Sequence, residues 1–383
     1  MSEASDGRTV DWGLPRRSLA KRWSASADMA DRKVISIDGM GGDHAPGIVV
    51  EGLERFAATR PDLFFLLHGD EAKLKPLLAK APTAAPRTEI RHTASFIAMD
   101  AKPGQAVRRG KGSSMWNAIE SVKNGEALAA VSAGNTGVLM GMSLLILRTI
   151  EGVRRPALVA GWPTRKGVSA VLDLGADIDA DAEQLVEFAI MGQAYFKAVH
   201  HKDDPSIGLL NIGSEELKGH ESIRDAARLI RESGIKMNFH GFVEGDDIGK
   251  GTVDVVVTDG FTGNVALKTA EGLARMISDM LKDTLKSGPL AMLGAVLAMP
   301  ALRKFRAALD PRKTNGAVLL GLTGIVVKSH GGTDKVGFAQ AISVAADMGE
   351  SHFQAEIKDS LGRLITAHAS ASPAVATSQE AAK

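Results

Sequence analysis

Five short stretches of this chain set carboxylate, hydroxyl, amide, imidazole or ammonium groups among glycines, the residue types that hold anions and stabilise charge developing on a reacting carbonyl. In Val34-Ile35-Ser36-Ile37-Asp38-Gly39-Met40-Gly41-Gly42-Asp43-His44-Ala45-Pro46 an apolar strand runs into a turn with two carboxylates and a histidine. A turn of this kind carries backbone N–H groups past the C-terminal edge of a sheet, where α/β enzymes commonly bind ligands. Gly41 and Gly42 allow a close backbone approach that a Cβ would exclude. Val131-Ser132-Ala133-Gly134-Asn135-Thr136-Gly137 precedes an apolar helix and offers hydroxyl, amide and N–H groups at its positive end. Leu172-Asp173-Leu174-Gly175-Ala176-Asp177 closes another apolar run. Leu209-Leu210-Asn211-Ile212-Gly213-Ser214 leads to Glu215, Glu216 and Lys218-Gly219, and Val257-Thr258-Asp259-Gly260-Phe261-Thr262-Gly263-Asn264 opens a long helix. Gly, Asn, Thr and Asp also serve ordinary turns and N-caps. Five such junctions in one chain nevertheless point to a shared anion-binding crevice.

The elements that must position these groups are short apolar runs alternating with helical patterns. Strands are expected at Val34–Asp38 and at 63–68, 128–132, 157–160, 170–174, 207–212, 237–242 and 253–258, mostly apolar on successive residues, as in strands covered on both faces. Helical stretches between them, such as 181–199 and Glu221–Glu232, imply βα units. The expected fold class is α/β, a three-layer αβα arrangement around a mainly parallel sheet. With 383 residues, 44% of them hydrophobic and 24% charged, the chain can bury a substantial core. A net charge of +1 gives no global pull toward nucleic acid. The absence of cysteine removes disulfides, thiolate metal sites and an acyl-cysteine intermediate, and is compatible with a reducing cytoplasm.

Residues 1–32 are polar and mixed in charge, with Trp12 and Trp23 among arginines; they lack an apolar signal segment and read as a disordered extension. Met29 is a plausible alternative start. Residues 366–383, rich in Ala, Ser and Thr, read as a disordered tail, which leaves 33–365 as the α/β domain.

The segments from Lys33 to about Gly362 resemble successive blocks of the acyl-acyl carrier protein:phosphate acyltransferases of bacterial phospholipid synthesis, the PlsX family. The opening signature at 34–46, Ser132–Gly137, Arg155-Pro156-Ala157-Leu158, and the runs 172–176, 208–213 and 258–264 carry the likeness in order. Gly39, His220 and the run Gly331-Gly332-Thr333-Asp334-Lys335-Val336-Gly337 depart from the usual wording. The resemblance implies attack by inorganic phosphate on the thioester of a long-chain acyl-carrier protein, giving acyl-phosphate. It also implies a cofactor-free homodimer with a phosphotransacetylase- or isocitrate-dehydrogenase-like fold.

Phosphate is already an anionic nucleophile, so no Ser-His-Asp apparatus is needed, and G-x-S-x-G does not occur. Within the matching motifs, Lys218 is the candidate for countering negative charge and Asn264 for a hydrogen bond to the same centre. Asp38, Gly41, Gly42, Asp43, His44, Ser132, Gly134, Asn135, Thr136, Gly137, Asp173, Gly213, Asp259, Thr262 and Gly263 are the candidate substrate-binding residues. His44 has two roles open to it, moving a proton to the departing thiol or holding its loop. Asp38, Asp43 and His44 make a poor ligand set, so no metal is expected. His44 stands in place of the third glycine of a dinucleotide fingerprint, and no P-loop occurs. Two alternatives stay open: a phosphotransacetylase using acyl-CoA, and a non-catalytic membrane-associated scaffold.

Between Ser287 and Leu302 there is no charged residue, and Pro289 and Pro300 punctuate the run. It is too short to span a bilayer, which takes about 20 apolar residues. An apolar hairpin at about 276–312, with Leu290, Met292, Leu293, Val296 and Leu297 at its tip and Arg303, Lys304, Arg306, Arg312 and Lys313 behind it, suits an anionic membrane surface or a dimer interface. A membrane glycerol-3-phosphate acyltransferase is the implied consumer of the product. An acidic carrier protein needs a basic landing area, for which Arg108-Arg109-Gly110-Lys111, Arg154-Arg155 and the Arg303 cluster are candidates.

Overall fold

The computed structural model describes residues 32–308 and 310–371, the side chains of 306–308, 311 and 364–371 excepted. The expected N-terminal extension to residue 31, with Trp12, Trp23 and Met29, lies outside the described residues, as does the tail beyond 371. Among the described residues eleven strands form one sheet: β1 Val34–Asp38, β2 Phe64–Gly69, β3 Thr88–His92, β4 Ala129–Ser132, β5 Ala157–Thr164, β6 Gly167–Leu172, β7 Ser206–Leu210, β8 Asn238–Val243, β9 Val255–Val257, β10 Ala317–Leu320 and β11 Ile325–Lys328. Twelve α-helices among the same described residues accompany them: α1 Gly47–Ala57, α2 Glu71–Leu78, α3 Pro103–Arg109, α4 Ser114–Lys123, α5 Thr136–Leu147, α6 Ala182–His200, α7 Glu221–Glu232, α8 Gly245–Lys250, α9 Gly260–Leu285, α10 Pro289–Ala308, α11 Lys335–Glu350 and α12 Phe353–Ala371. All eight expected strands form, some shifted by a few residues at an end; β3, β10 and β11 were not among them.

The side-chain alternation of a strand sends successive residues to opposite faces, and this chain buries both. Val131 and Val327 pack with α1, α11 and α6 residues such as Leu53, Phe338 and Phe188 on one face. Their neighbours Ala130 and Val326 pack with Met115, Ile119, Val138 and Met142 of α4 and α5 on the other. Two-sided burial explains the unbroken apolar runs and yields the three-layer αβα arrangement.

The strand order is β3-β2-β1-β4-β11-β10-β5-β6-β9-β7-β8. Strands β3, β2, β1, β4 and β11 are mutually parallel, as are β6, β9, β7 and β8. Between them β10 pairs antiparallel with β11 and with β5, and β5 pairs antiparallel with β6. Three reversals make the two parallel blocks run in opposite senses. The C-terminal ends of β1, β4 and β11 therefore open on one edge of the sheet, and those of β6, β9 and β7 on the opposite edge.

Helices α9 and α10 leave this body as a hairpin bent by 118°. Only Gly260 and Gly263 of α9 are buried. Met276, Met280, Leu290, Met292, Leu293, Val296 and Leu297 are exposed. No single described helix is long and apolar enough to cross a membrane. Asn315, which follows the hairpin, donates to Ser329 Oγ at 2.8 Å and to Gly337 O at 2.7 Å, and Arg312 pairs with Asp310 and Asp334. Arg312 is thus a structural clasp, while Arg303, Lys304 and Lys313 are exposed.

Candidate active site

At the first edge, β1 and β4 pair so that Ile37 lies beside Val131, and β4 and β11 so that Ser132 lies beside Lys328. Asp38 is fully buried and accepts from Ser132 Oγ at 2.7 Å and Met40 N at 3.2 Å. Burial pushes its pKa up, against the opposing effect of those hydrogen bonds. Ser132 Oγ also accepts from Gly134 N at 3.0 Å, so Asp38 and Ser132 join the two glycine turns. A Cβ on Gly41 would lie 2.4 Å from Asp38 Oδ2 and 2.8 Å from Gly134 N, which explains the glycine. Asp43 N donates to Gly331 O at 3.0 Å, docking a third turn, the one after β11. A small recess of about 10 Å³, room for about one water, opens here, lined by Gly41, Gly42, His44, Gly331 and Thr333 and by the apolar Ala45, Ile48, Val49, Ala133 and Phe338.

Asn135 has a structural task at this edge. Its side chain caps α5 by accepting from Val138 N at 3.1 Å and donates to Met99 O at 2.8 Å. Gly137 faces Pro103 at the start of α3, where an added Cβ would come within 2.9 Å. Thr136, Asp43 and His44 are exposed.

Lys328 was not singled out in the sequence. It is 8% exposed, and burial lowers its pKa to about 8, opposed by the fields of Asp43 and Asp38. The legible signal was a lone charge closing the apolar run Ile325-Val326-Val327 immediately before Ser329-His330-Gly331-Gly332, the same strand-then-glycine pattern as at 34–46.

At the opposite edge, three junctions meet because β9 lies between β6 and β7, with Val257 level with both Leu172 and Leu209. Asp173 organises them. Its buried carboxylate accepts from the backbone N–H groups of Leu158 (2.8 Å), Gly175 (3.1 Å), Ala176 (2.9 Å) and Asp177 (2.6 Å). With those bonds its oxygens are occupied by the chain itself, a structural task rather than a ligand contact. Asp259 caps α9, accepting from Thr262 N and Thr262 Oγ1, both at 2.8 Å, so this pair too is engaged locally. Gly260 and Gly263 let the first turn of α9 sit against 173–177.

Two polar side chains remain available here. Asn264 is exposed, makes no hydrogen bond among the described residues, and lies against Gly175, whose φ is +123°. Lys218 is exposed and forms no ion pair among the described residues, although Glu215 and Glu216 are near in sequence. Its loop is fixed by Asn211, which donates to Lys218 O at 3.0 Å, and by Gly213, where a Cβ would lie 3.1 Å from Lys218 Cγ. An ammonium, a carboxamide and the positive end of a 26-residue helix thus face solvent at one edge. Ile178, Ile212, Leu217, Phe261 and Val265 give it an apolar exposed rim.

The expectation of one crevice shared by all five junctions is not met within the chain. From β1 to β6 there are five strand-to-strand steps, roughly 24 Å at the usual strand spacing, and the two sets open on opposite edges. The divergence arises from the antiparallel pairs β10–β11, β10–β5 and β5–β6, two of which involve strands absent from the sequence-based list.

The fold is that of the phosphotransacetylases. Superposition on a phosphotransacetylase from Streptococcus pyogenes gives a TM-score of 0.57 at 18% identity, covering 88% of this chain and 99% of that one. A second, from Staphylococcus aureus, gives 0.55 at 16% identity over 86% and 97%. The chain belongs to the fatty acid synthesis protein family, whose model matches residues 33–356. Relatives called phosphate acyltransferase include those of Caulobacter vibrioides, 60% identical over 88% of this chain and 93% of its own, and Phenylobacterium zucineum, 53% identical over 91% and 99%.

Proposed function

We propose that this chain transfers a long-chain fatty acyl group from acyl carrier protein to inorganic phosphate, yielding acyl-phosphate for phospholipid synthesis. The observation that carries this reading is the 60% identity, over nearly the full length of both chains, to a relative called phosphate acyltransferase. A phosphate oxygen forms the new C–O bond, the C–S bond breaks, and the proton of hydrogen phosphate passes to the departing thiolate. The reaction centre is the β6–β7–β9 edge. There Lys218 offsets the charge of phosphate and of the tetrahedral intermediate, and Asn264 donates a hydrogen bond to the oxyanion. The apolar rim around Asn264 suits a fatty acyl donor. Presenting purified enzyme with palmitoyl-carrier protein and palmitoyl-CoA side by side tests the donor. Product from CoA alone would overturn the carrier assignment.

The carrier lands on a basic surface. Arg154 is engaged by Asp181 at 2.7 Å and Glu187 at 2.8 Å, which favours the unpaired basic groups. Arg108, Arg109 and Lys111 are exposed without an ion pair among the described residues, and Arg155, Arg303 and Lys304 are exposed as well. The body from 33 to 365 acts as a cytoplasmic homodimer touching the membrane peripherally, through the α9–α10 tip, near the acyltransferase that consumes its product. Leu293 is 57% exposed, and Leu293→Glu is expected to abolish flotation with anionic liposomes while turnover on soluble substrate persists. Equal flotation of the two proteins would sink the membrane assignment.

A further inference from the structure

Lys218 rides on the loop between β7 and α7, and the way that loop is held decides where its ammonium sits. From Ser214 to Lys218 every side chain is exposed, Leu217 to 88%, so no buried apolar side chain of that stretch anchors it to the core. Polar bonds hold it instead, on three successive backbone carbonyls. Asn211 Nδ2 donates to Lys218 O at 3.0 Å, and Arg224 Nη1 donates to Leu217 O and to Gly219 O, both at 3.2 Å. Asn211 is itself buried, and its backbone N–H donates to Val243 O of β8 at 2.8 Å. Gly219 has a φ of +83°, and a Cβ there would stand 1.8 Å from Asn211 Oδ1, so the chain turns hard against that carboxamide. The sheet thus holds the carbonyl of Lys218, and α7 holds the carbonyls on either side of it.

Arg224 is not where helix electrostatics alone would put a cation. It follows His220, the N-cap of α7, by four residues, at the positive end of the helix. It forms no ion pair among the described residues: of the nearby acids, Asp225 pairs with Arg228 at 3.2 Å and Glu216 with Arg231 at 3.5 Å. Its hydrogen bonds go to the two loop carbonyls. A guanidinium carries its donors in a rigid fork, which fixes the groups it bonds more closely than a flexible ammonium does. The pairing of Glu216 with Arg231 also draws one carboxylate away from Lys218.

We infer that Arg224 is a positioning residue for the reaction: by bonding the carbonyls that flank Lys218, it presents the Lys218 ammonium to the charge developing on phosphate and on the oxyanion. This role rests on the β6–β7–β9 edge being the reaction centre.

Steady-state turnover of the full chain on palmitoyl-carrier protein, followed with radiolabelled phosphate so that small residual rates are readable, supplies the test. The proteins compared are wild type, Arg224→Ala, Arg224→Lys, Lys218→Ala and the double variant Arg224→Ala with Lys218→Ala. Arg224→Ala is expected to lower kcat about tenfold and to change KM for either substrate by less than about twofold, because misplacing an oriented group is felt in the transition state. Arg224→Lys should fall between Arg224→Ala and wild type. In the Lys218→Ala background the same Arg224→Ala change should cost less than about twofold, since no ammonium is left to place. An equal fold-loss in both backgrounds would mean that Arg224 acts on the fold at large, and would overturn the inference. If Arg224→Ala does not fold, Arg224→Lys in both backgrounds makes the same comparison. A raised KM for the carrier substrate at unchanged kcat would make Arg224 part of the landing surface, which also overturns the positioning role. Wild-type turnover in Arg224→Ala beside a crippled Lys218→Ala would sink this inference alone, whereas wild-type turnover in Lys218→Ala would remove the reaction centre and the inference together.

Discussion

Asn264→Ala and Lys218→Ala are each expected to lower acyl-phosphate formation by about a hundredfold or more and to leave the melting temperature close to wild type. Removing one preorganised oxyanion donor typically costs about 3 kcal/mol of transition-state stabilisation, which sets the size of the effect. The unchanged fold follows from exposure: neither side chain makes an internal hydrogen bond or ion pair among the described residues, and exposed substitutions of this kind usually shift stability by about 0.5 kcal/mol or less. Turnover and thermal unfolding measured on the same preparations check both halves. Near-normal turnover in either variant would remove that residue from the mechanism.

Gly263→Ala is expected to act in the opposite order, through the fold first and activity second. A Cβ at Gly263 would stand 1.9 Å from Asp173 O, a backbone atom that cannot swing aside. Either the first turn of α9 lifts away or the 173–177 loop is displaced, and both move Asn264. Forced overpacking of this kind costs about 1–3 kcal/mol or more, so a clear fall in melting temperature is expected together with lost turnover. Gly272 lies on the same helix with nothing within 4 Å of its Cβ position. Gly272→Ala should be neutral or stabilising by up to about 1 kcal/mol. Equal melting temperatures for the two alanine variants would contradict the packing described for the start of α9.

The strands that hold the site were legible because two-sided burial writes itself as continuous apolar sequence, as in Val34–Asp38 and Val255–Val257. Turn chemistry was legible too, since Asp38, Asp173 and Asp259 each close a strand or open a helix. Their division of labour was not. A sequence shows that Asp173 and Asn135 are polar, but not that amides and carbonyls from distant segments occupy them. Lys328 escaped notice for a related reason: its burial depends on β4 and β11 pairing across nearly two hundred residues of chain. The separation of the junctions onto two edges rests on the short β10–β11 pair, whose apolar runs of three or four residues carry no periodicity of their own.

The most direct measurement of the central claim is phosphorus NMR of purified enzyme with palmitoyl-carrier protein and inorganic phosphate, run in parallel with Lys218→Ala. An acyl-phosphate resonance that grows with wild type, and at least a hundredfold more slowly with the variant, is the predicted result. A resonance that grows equally with both would contradict the assignment of the reaction centre, and none with either would contradict acyl transfer from the carrier.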